Sequence, residues 1–268
     1  NGVPLADPAG GVRDLHAAMI GTAGKETLIT AERPTDDGPA EVNLVLIPHG
    51  QRAETDMRYR DEVEHREALV HEWSNGRLGY LHIRGMSAPQ VRDYERDLFA
   101  AAQGRDGLII DVRDNGGGWT TDILLASLTA PAHAYTIPRG ADPDTVEFDD
   151  YPRGRRLIHA YQRPVDVLMN EHSYSNAEIF SHAIKTIGRG RLVGTETHGA
   201  VISTGAHTLI DGTVIRIPFR GWYLPDGTDM EHHGAKPDVD VPQLPTDEAA
   251  GQDRQLKAAV EDLLKRLP

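Results

Sequence analysis

The sequence predicts an α/β fold built on a largely parallel sheet. A mostly apolar run at 107–112 precedes three glycines and a helical segment, and a second mostly apolar run at 165–169 precedes a serine-rich turn and another helical segment. Short, mostly apolar runs of this kind are typical of the buried strands of parallel sheets, because helices cover both faces. The repeated order of strand, turn and helix indicates this fold class.

For residues 1–76 the sequence predicts less regular structure. We expect a helix at 12–21 and strands at 26–32 and 41–47 around an acidic turn. Residues 51–76 are expected to form a charged linker with helical potential in its later part. The first 50 residues are too few to bury a core of their own. Because Asn1-Gly2 is a turn signal, we expect the chain to begin inside a structural unit.

From residue 77 onward, predicted strands and helices alternate. We expect strands at 78–83, 107–112, 165–169 and 191–195, helices at 88–103, 120–128 and 176–187, a hairpin over 206–218 and a final amphipathic helix at 253–267. A loop rich in proline, glycine and aspartate lies between them at 130–156.

Composition excludes several classes of partner and chemistry. The chain has 28 Lys and Arg against 41 Asp and Glu, a formal net charge of −13, which argues against nucleic acid or an anionic membrane as partner. It has no cysteine, which excludes disulfides, thiolate metal sites and a cysteine nucleophile. No apolar run reaches the roughly 18 residues of a membrane helix. We expect an acidic globular protein.

The first candidate functional turn is the glycine run at Gly116, Gly117 and Gly118. Glycines let the backbone present successive N–H groups to an anion or oxyanion. The alternative is a tight strand-to-helix turn that binds nothing. A phosphate-binding P-loop is excluded, because no Lys-Ser/Thr pair follows.

The second candidate turn holds Ser173, Ser175 and Asn176, between a strand and a helix. A serine at this position is commonly an N-cap. It can also be a nucleophile, because a helix N-terminus favours the developing negative charge. No Gly-x-Ser-x-Gly elbow is present, which argues against an α/β-hydrolase.

Glu231, His232 and His233 form a third polar cluster, for which a solvated loop is the alternative interpretation. Adjacent histidines on an extended segment point to opposite sides and chelate poorly. The thirteen histidines of the chain are scattered, and no spacing matches a zinc site. We therefore predict no metal and no cofactor.

Several motifs, taken in order, resemble one family. They are GYLHI at 79–83, GLIIDVRDNGGG at 107–118, NEHSYSNAEIFS at 170–181, IDGT at 210–213 and GAKPDV at 234–239. Together they resemble the C-terminal region of the tricorn-type members of the tail-specific (C-terminal processing) serine peptidases. The similarity continues upstream through 58–60 and 70–72, and residues 1–48 look like the second half of a PDZ domain.

The resemblance implies a domain organisation and an activity. It implies a partial PDZ-like domain at 1–50, the linker at 51–76, and a crotonase/ClpP-like parallel-sheet catalytic domain at 77–268. It implies peptide hydrolysis through an acyl-enzyme at Ser175, with an oxyanion hole formed by the N–H groups of Gly118 and Asn176. It places Glu231 as the carboxylate that orients a catalytic histidine through a bridging serine.

The resemblance also implies that the general base lies elsewhere. In this family the catalytic histidine and the bridging serine belong to a small domain that precedes the PDZ domain, so we expect this chain alone to be inactive. His172 and His198 are the local candidates for a substitute base. We expect both to be structural, because the position of Glu231 presupposes the upstream histidine.

Two positions depart from the family pattern. Asn176 stands where the family carries aspartate, which leaves the backbone donor intact. An acidic residue that favours basic P1 side chains is replaced near Thr136, so a preference for basic substrates does not follow. Gly116, Gly117 and Thr136 are the expected substrate-binding positions.

Two other functions remain open at this stage. The same fold could serve as a non-catalytic module that binds peptides or other ligands. It could also be an acyl-CoA hydratase or isomerase that uses the 116–118 turn as an enolate hole. By resemblance we expect peptide substrates, a cytoplasmic location, a homo-oligomer (a hexamer in the family), and association with the N-terminal remainder of the same protein.

Overall fold

The computed structural model describes residues 5–7, 11–12, 14–131, 139–140, 142 and 160–268. The chain divides into two compact units, Asn1–Glu62 and Val63–Pro268. The boundary between them falls inside one long helix.

The described part of the first unit holds two small antiparallel pairs, a short helix and the beginning of the long helix. Strands β1 (Ala6–Asp7) and β2 (Gly11–Val12) pair with each other, and helix α1 (Leu15–Met19) follows. Strands β3 (Thr27–Arg33) and β4 (Ala40–Leu46) form a hairpin, close to the predicted positions. The helix begins later than predicted, after Asp14, whose carboxylate accepts the N–H of His16 at 2.8 Å. The assignment of this unit to a PDZ-like domain stays a prediction.

Most of the predicted linker is helix α2, which spans Gln51–Trp73. Its first half is charged and is supported by an exposed pair between Arg58 and Glu54, one turn apart. In its second half Val70 is fully buried, and Val63, Leu69 and Trp73 pack around the same cluster of the second unit. Packing of these few apolar side chains explains why a largely charged segment is helical.

The second unit is built on a parallel sheet. Its elements, in chain order, are β5 (Leu78–His82), α3 (Ala88–Ala102), β6 (Gly107–Asp111), α4 (Thr121–Thr129), β7 (Val165–Met169), α5 (Asn176–Thr186), β8 (Gly190–Gly194), β9 (Ser203–Thr208), β10 (Val214–Arg220), β11 (Val239–Asp240), α6 (Pro245–Ala249) and α7 (Arg254–Arg266). Within the described part of the chain, five strands pair in the order β11-β8-β7-β6-β5, all parallel. The predicted α/β class is confirmed.

Both faces of the sheet are covered, as the apolar strands predicted. On β6, Leu108 and Ile110 belong to one buried cluster, which also contains residues of α3, α4 and α5. Ile109, between them, belongs to a second cluster on the opposite face with Val70 of α2 and Leu263 of α7. The alternation follows from the strand period of two residues.

The topology places the two candidate turns side by side. Strands β6 and β7 are hydrogen-bonded neighbours and run parallel, so their carboxyl ends lie at the same edge of the sheet. The glycine turn follows β6 and the serine turn follows β7. In open α/β sheets this edge is where ligands bind.

The remaining elements differ in part from the prediction. The hairpin β9–β10 is present but extends a few residues beyond the predicted strands. The short elements β11 and α6 were not predicted, because two to five residues carry too little periodicity to reveal them. None of the helices among the described residues is long and apolar enough to cross a membrane.

Candidate active site

Hydrogen bonds join the glycine turn to the serine turn. The N–H of Tyr174 donates to the carbonyl of Asn115 at 2.9 Å, and the Ser173 hydroxyl donates to the carbonyl of Val112 at 2.8 Å. Thr121, at the start of α4, donates its N–H to Asn176 Oδ1 at 3.0 Å and its hydroxyl to the Asn176 carbonyl at 2.9 Å. These contacts fix the two turns as one structural element.

Ser175 is the N-cap residue of α5, but its hydroxyl does not cap the helix. Its backbone has φ 57° and ψ −117°, a conformation that L-residues adopt only at a cost. The side chain is partly exposed, and Ser175 Oγ forms no hydrogen bond with any residue that the structure describes. The N-cap alternative therefore accounts for the position of Ser175 but leaves its hydroxyl unused.

Two backbone N–H groups beside Ser175 have no protein acceptor. Across the described ranges, neither the N–H of Gly118 nor that of Asn176 is hydrogen-bonded. The neighbouring N–H of Gly117, in contrast, donates to Asn115 Oδ1 at 2.8 Å. Both predicted oxyanion-hole donors therefore lack an acceptor among the described residues, as does the N–H of Gly116.

Close backbone packing explains two of the three glycines. A Cβ on Gly117 would lie 2.6 Å from the Tyr174 carbonyl oxygen and 2.7 Å from Ser175 Cβ, and one on Gly118 would lie 1.8 Å from the Met86 carbonyl oxygen. Both residues have positive φ, of 84° and 149°. Gly116 has neither constraint, since a Cβ there would meet no atom within 4 Å.

Glu178, one turn into α5, is a buried carboxylate with four hydrogen-bond donors. Its Oε1 accepts the N–H of Ser175 at 3.0 Å and that of Ala200 at 2.9 Å. Its Oε2 accepts the hydroxyl of Thr197 at 2.8 Å and the N–H of Gly199. The sequence analysis assigned Glu178 no role, although the Ser-x-x-Glu spacing of a capping box could have drawn attention to it.

Glu231 accepts from the two residues that follow Gly199 and Ala200 in the chain. Its Oε2 accepts the N–H groups of Val201 at 2.8 Å and Ile202 at 3.0 Å. Its Oε1 has no hydrogen-bond partner within the part of the chain that is described. The next residue, His232, donates its N–H to the Gly199 carbonyl at 2.8 Å. These contacts anchor the 231–233 loop, which therefore has fixed partners rather than being only a solvated loop.

A buried ion-pair network lies beneath the glycine turn. Asp111, at the end of β6, is fully buried and accepts hydrogen bonds from Arg113 and from the Tyr80 hydroxyl. Arg113 also binds Asp253, the N-cap of α7, at 2.9 Å. Burial alone would raise the pKa of Asp111, but the charge and hydrogen bonds of Arg113, with Arg66, hold that pKa well below its ordinary value. The sequence analysis missed this network, which joins residues far apart in the chain.

The histidines considered as substitute bases do not contact the serine hydroxyl. His172 and His198 are both exposed. The His198 ring packs edge-on against Tyr174 at a centroid distance of 5.1 Å. The third predicted substrate-binding residue, Thr136, lies outside the described residues. Among those described, no group of three or more His, Asp or Glu side chains could hold a metal ion.

Comparison with known proteins shows which family and which relatives this chain is similar to. Residues 77–241 match the family model described as peptidase family S41. The chain is 39% identical over 244 residues to tricorn protease homolog 1 of Streptomyces coelicolor, covering 90% of this chain and 22% of that protein. It is 31% identical over 262 residues to tricorn protease of Thermoplasma volcanium, covering 97% of this chain and 24% of that protein.

A solved structure of a tricorn protease is also similar to this chain. The chain matches the crystal structure of the tricorn protease with a TM-score of 0.77 and 29% sequence identity, covering 93% of this chain and 23% of that one. The chain thus spans about a quarter of the length of the relatives that it matches.

Proposed function

The chain belongs to peptidase family S41, and we propose that it carries the nucleophile and the oxyanion hole of a tricorn-like serine peptidase. The observation that supports this most directly is the partly exposed hydroxyl of Ser175, which has no hydrogen-bond partner among the described residues and lies beside two backbone N–H groups that lack acceptors there. A nucleophile and two convergent donors are the parts that acyl transfer requires.

The proposed chemistry proceeds through an acyl-enzyme. Ser175 Oγ attacks the carbonyl carbon of the scissile peptide while a base takes its proton. The N–H groups of Gly118 and Asn176 donate to the oxyanion of the tetrahedral intermediate, and the N-terminus of α5 adds a favourable dipole. The C–N bond breaks as the proton passes to the leaving amine, and water then hydrolyses the ester on Ser175 by the reverse proton transfers.

We propose that the base is a histidine outside residues 1–268. Two observations support this: Ser175 Oγ accepts or donates no hydrogen bond among the described residues, and Glu231 keeps one carboxylate oxygen without a partner in that part of the chain. In this proposal Glu231 orients the incoming histidine through a bridging serine, and the 268-residue chain alone is inactive. In this proposal the segment that carries the histidine is a binding partner of this chain.

The remaining assignments follow from the same proposal. Substrates are peptides, which approach along the glycine turn past Gly116 and Gly117. A net charge of −13 disfavours nucleic acid as an alternative partner. Assembly into a homo-oligomer and a cytoplasmic location are proposed by analogy with the tricorn relatives.

Labelling with a fluorophosphonate tests the proposal. The reagent is applied to the 268-residue chain and to the longer polypeptide that contains it, each with a Ser175→Ala variant. We expect labelling of the longer form alone and none in either variant. Labelling of the short chain would show that a histidine within it activates Ser175. Peptide binding without labelling of either form would favour the non-catalytic module.

A further inference from the structure

We propose that Glu178 is a positioning residue of this active site, one that holds the strained turn at Ser175 in place and joins it to the segment on which Glu231 is held. This inference rests on the proposed function and adds to it a residue that never touches the substrate. The inference is drawn from the four hydrogen bonds that the buried Glu178 carboxylate accepts, because a helix cap requires only one of them.

The burial of Glu178 has to be explained by something other than capping. The side chain is 0% exposed, and a buried carboxylate is costly unless hydrogen bonds replace its hydration. In a capping box this side chain needs to accept only one hydrogen bond, from the N–H of the N-cap residue. Here three further donors, from Thr197, Gly199 and Ala200, converge on it. The carboxylate therefore serves a second segment as well as its own helix.

One oxygen atom joins the nucleophile to that second segment. Glu178 Oε1 accepts from both Ser175 and Ala200, at 3.0 and 2.9 Å. The backbone of Ser175 is strained, and such a conformation persists only when its surroundings hold it. Because the N–H of the next residue, Asn176, is a proposed oxyanion donor, a change in this turn would displace the nucleophile and the donor together.

The same segment continues to the other carboxylate. Gly199 and Ala200 donate to Glu178, and the two residues after them donate to Glu231. Glu178 thus helps to set the distance between Ser175 and the Glu231 carboxylate. A displacement of about 1 Å in such a site can reduce the rate roughly 100-fold.

Glu178→Gln is the informative variant. Glutamine has the same shape, but its NH₂ group would face N–H donors instead of accepting from them. We expect the second-order rate of fluorophosphonate labelling to fall about 10- to 100-fold, against complete loss in Ser175→Ala. The matched control is Glu171→Gln, because Glu171 is exposed and its carboxylate accepts from the Thr195 hydroxyl at 2.6 Å, away from Glu178 and the 199–202 segment. It should label at the wild-type rate.

A second readout separates positioning from general loss of stability. In Glu178→Gln we expect faster amide hydrogen exchange at Ser175, Gly199 and Ala200, with Val201 and Ile202 still protected by Glu231. If Glu178→Gln does not fold, Thr197→Ala removes one of the four donors to Glu178, together with the acceptor of the Ala235 N–H, and should slow labelling several-fold in a folded protein. Wild-type labelling rates and unchanged exchange in these variants would overturn the proposal.

The two proposals can fail independently. If neither the short nor the longer wild-type form labels, the proposed function has failed, but hydrogen exchange still reports whether Glu178 holds the turn. If the wild type labels and Glu178→Gln labels equally fast, the function stands and the role of Glu178 does not.

Discussion

Glu178 and Glu231 divide four consecutive backbone N–H groups between them. Gly199 and Ala200 donate to Glu178, and Val201 and Ile202 donate to Glu231. The segment 199–202 is therefore held by two carboxylates that are 53 positions apart in the numbering (231 minus 178). Since Glu178 also accepts the Ser175 N–H, this segment relates the position of the nucleophile to that of Glu231.

Replacing Ser175 by glycine should separate stability from activity. Glycine adopts positive φ without a Cβ penalty, whereas alanine keeps the strain of φ 57°. We expect Ser175→Gly to be more stable than Ser175→Ala by roughly 1 kcal/mol, measured by urea unfolding, while both lose labelling. Equal stability of the two variants would mean that the turn stores little strain.

The three glycines of the turn should respond differently to alanine. A methyl group at Gly117 or Gly118 would collide with backbone carbonyl oxygens, at 2.6 and 1.8 Å. We expect each of these variants to lose about 2 kcal/mol or more of unfolding free energy, or to shift the turn and lose labelling. Gly116→Ala is the control and should stay within about 0.5 kcal/mol of wild type. A large loss in Gly116→Ala would contradict this packing.

The ion-pair network beneath the turn should be sensitive to the loss of one charge. Asp111→Asn leaves Arg113 buried without its main counter-ion, for which we expect a loss of about 3 to 5 kcal/mol in unfolding free energy. Asp93→Asn is the same chemical change in an exposed pair with Arg96 and should cost less than about 1 kcal/mol. Chemical denaturation of both variants gives the comparison; similar losses would show that burial does not govern the effect.

Asp166 should make stability depend on pH. Burial raises the pKa of this β7 carboxyl from 3.8 to about 7, against the opposing charge of Arg266. The folded state thus binds a proton that the unfolded state releases near pH 4, so this contribution is largest at low pH and is lost as pH rises towards 7.

The matching measurement compares wild type with Asp166→Asn from pH 4 to 8. The difference in unfolding free energy, wild type minus variant, should fall by a few kcal/mol up to about pH 7 and then level off, since each pKa unit is worth about 1.4 kcal/mol. Groups common to both proteins cancel in this difference. A difference that rises with pH would indicate that the pair with Arg266 outweighs burial.

The sequence was sufficient to predict the features that depend on local patterns. The mostly apolar runs at 107–112 and 165–169 predicted buried parallel strands, and the turns after them predicted the edge where Ser175 and Gly118 lie. The order of the strands, β11-β8-β7-β6-β5, was not predicted and came from the structure. The motif resemblance indicated the peptidase family, which the comparisons confirm.

Other features of the fold could not be predicted from local sequence patterns. Helix α2 is charged over most of its length, and only the burial of Val70 and its neighbours on the sheet explains its extent. The short strand β11 exists through its pairing with β8 and carries no pattern of its own. In both cases the stabilising contacts join residues that are distant in sequence.

The sequence by itself determined the fold class and the residue types at the site, because strand periodicity, glycine turns and motif order are properties of neighbouring residues. Only the tertiary structure decided which groups have hydrogen-bond partners among the described residues and which do not: the Ser175 hydroxyl that does not cap α5, the paired Gly117 N–H beside the unpaired one of Gly118, and the four donors on Glu178. Hydrogen-bond partners depend on distances between segments, and these distances are set when the helices and loops pack on the sheet.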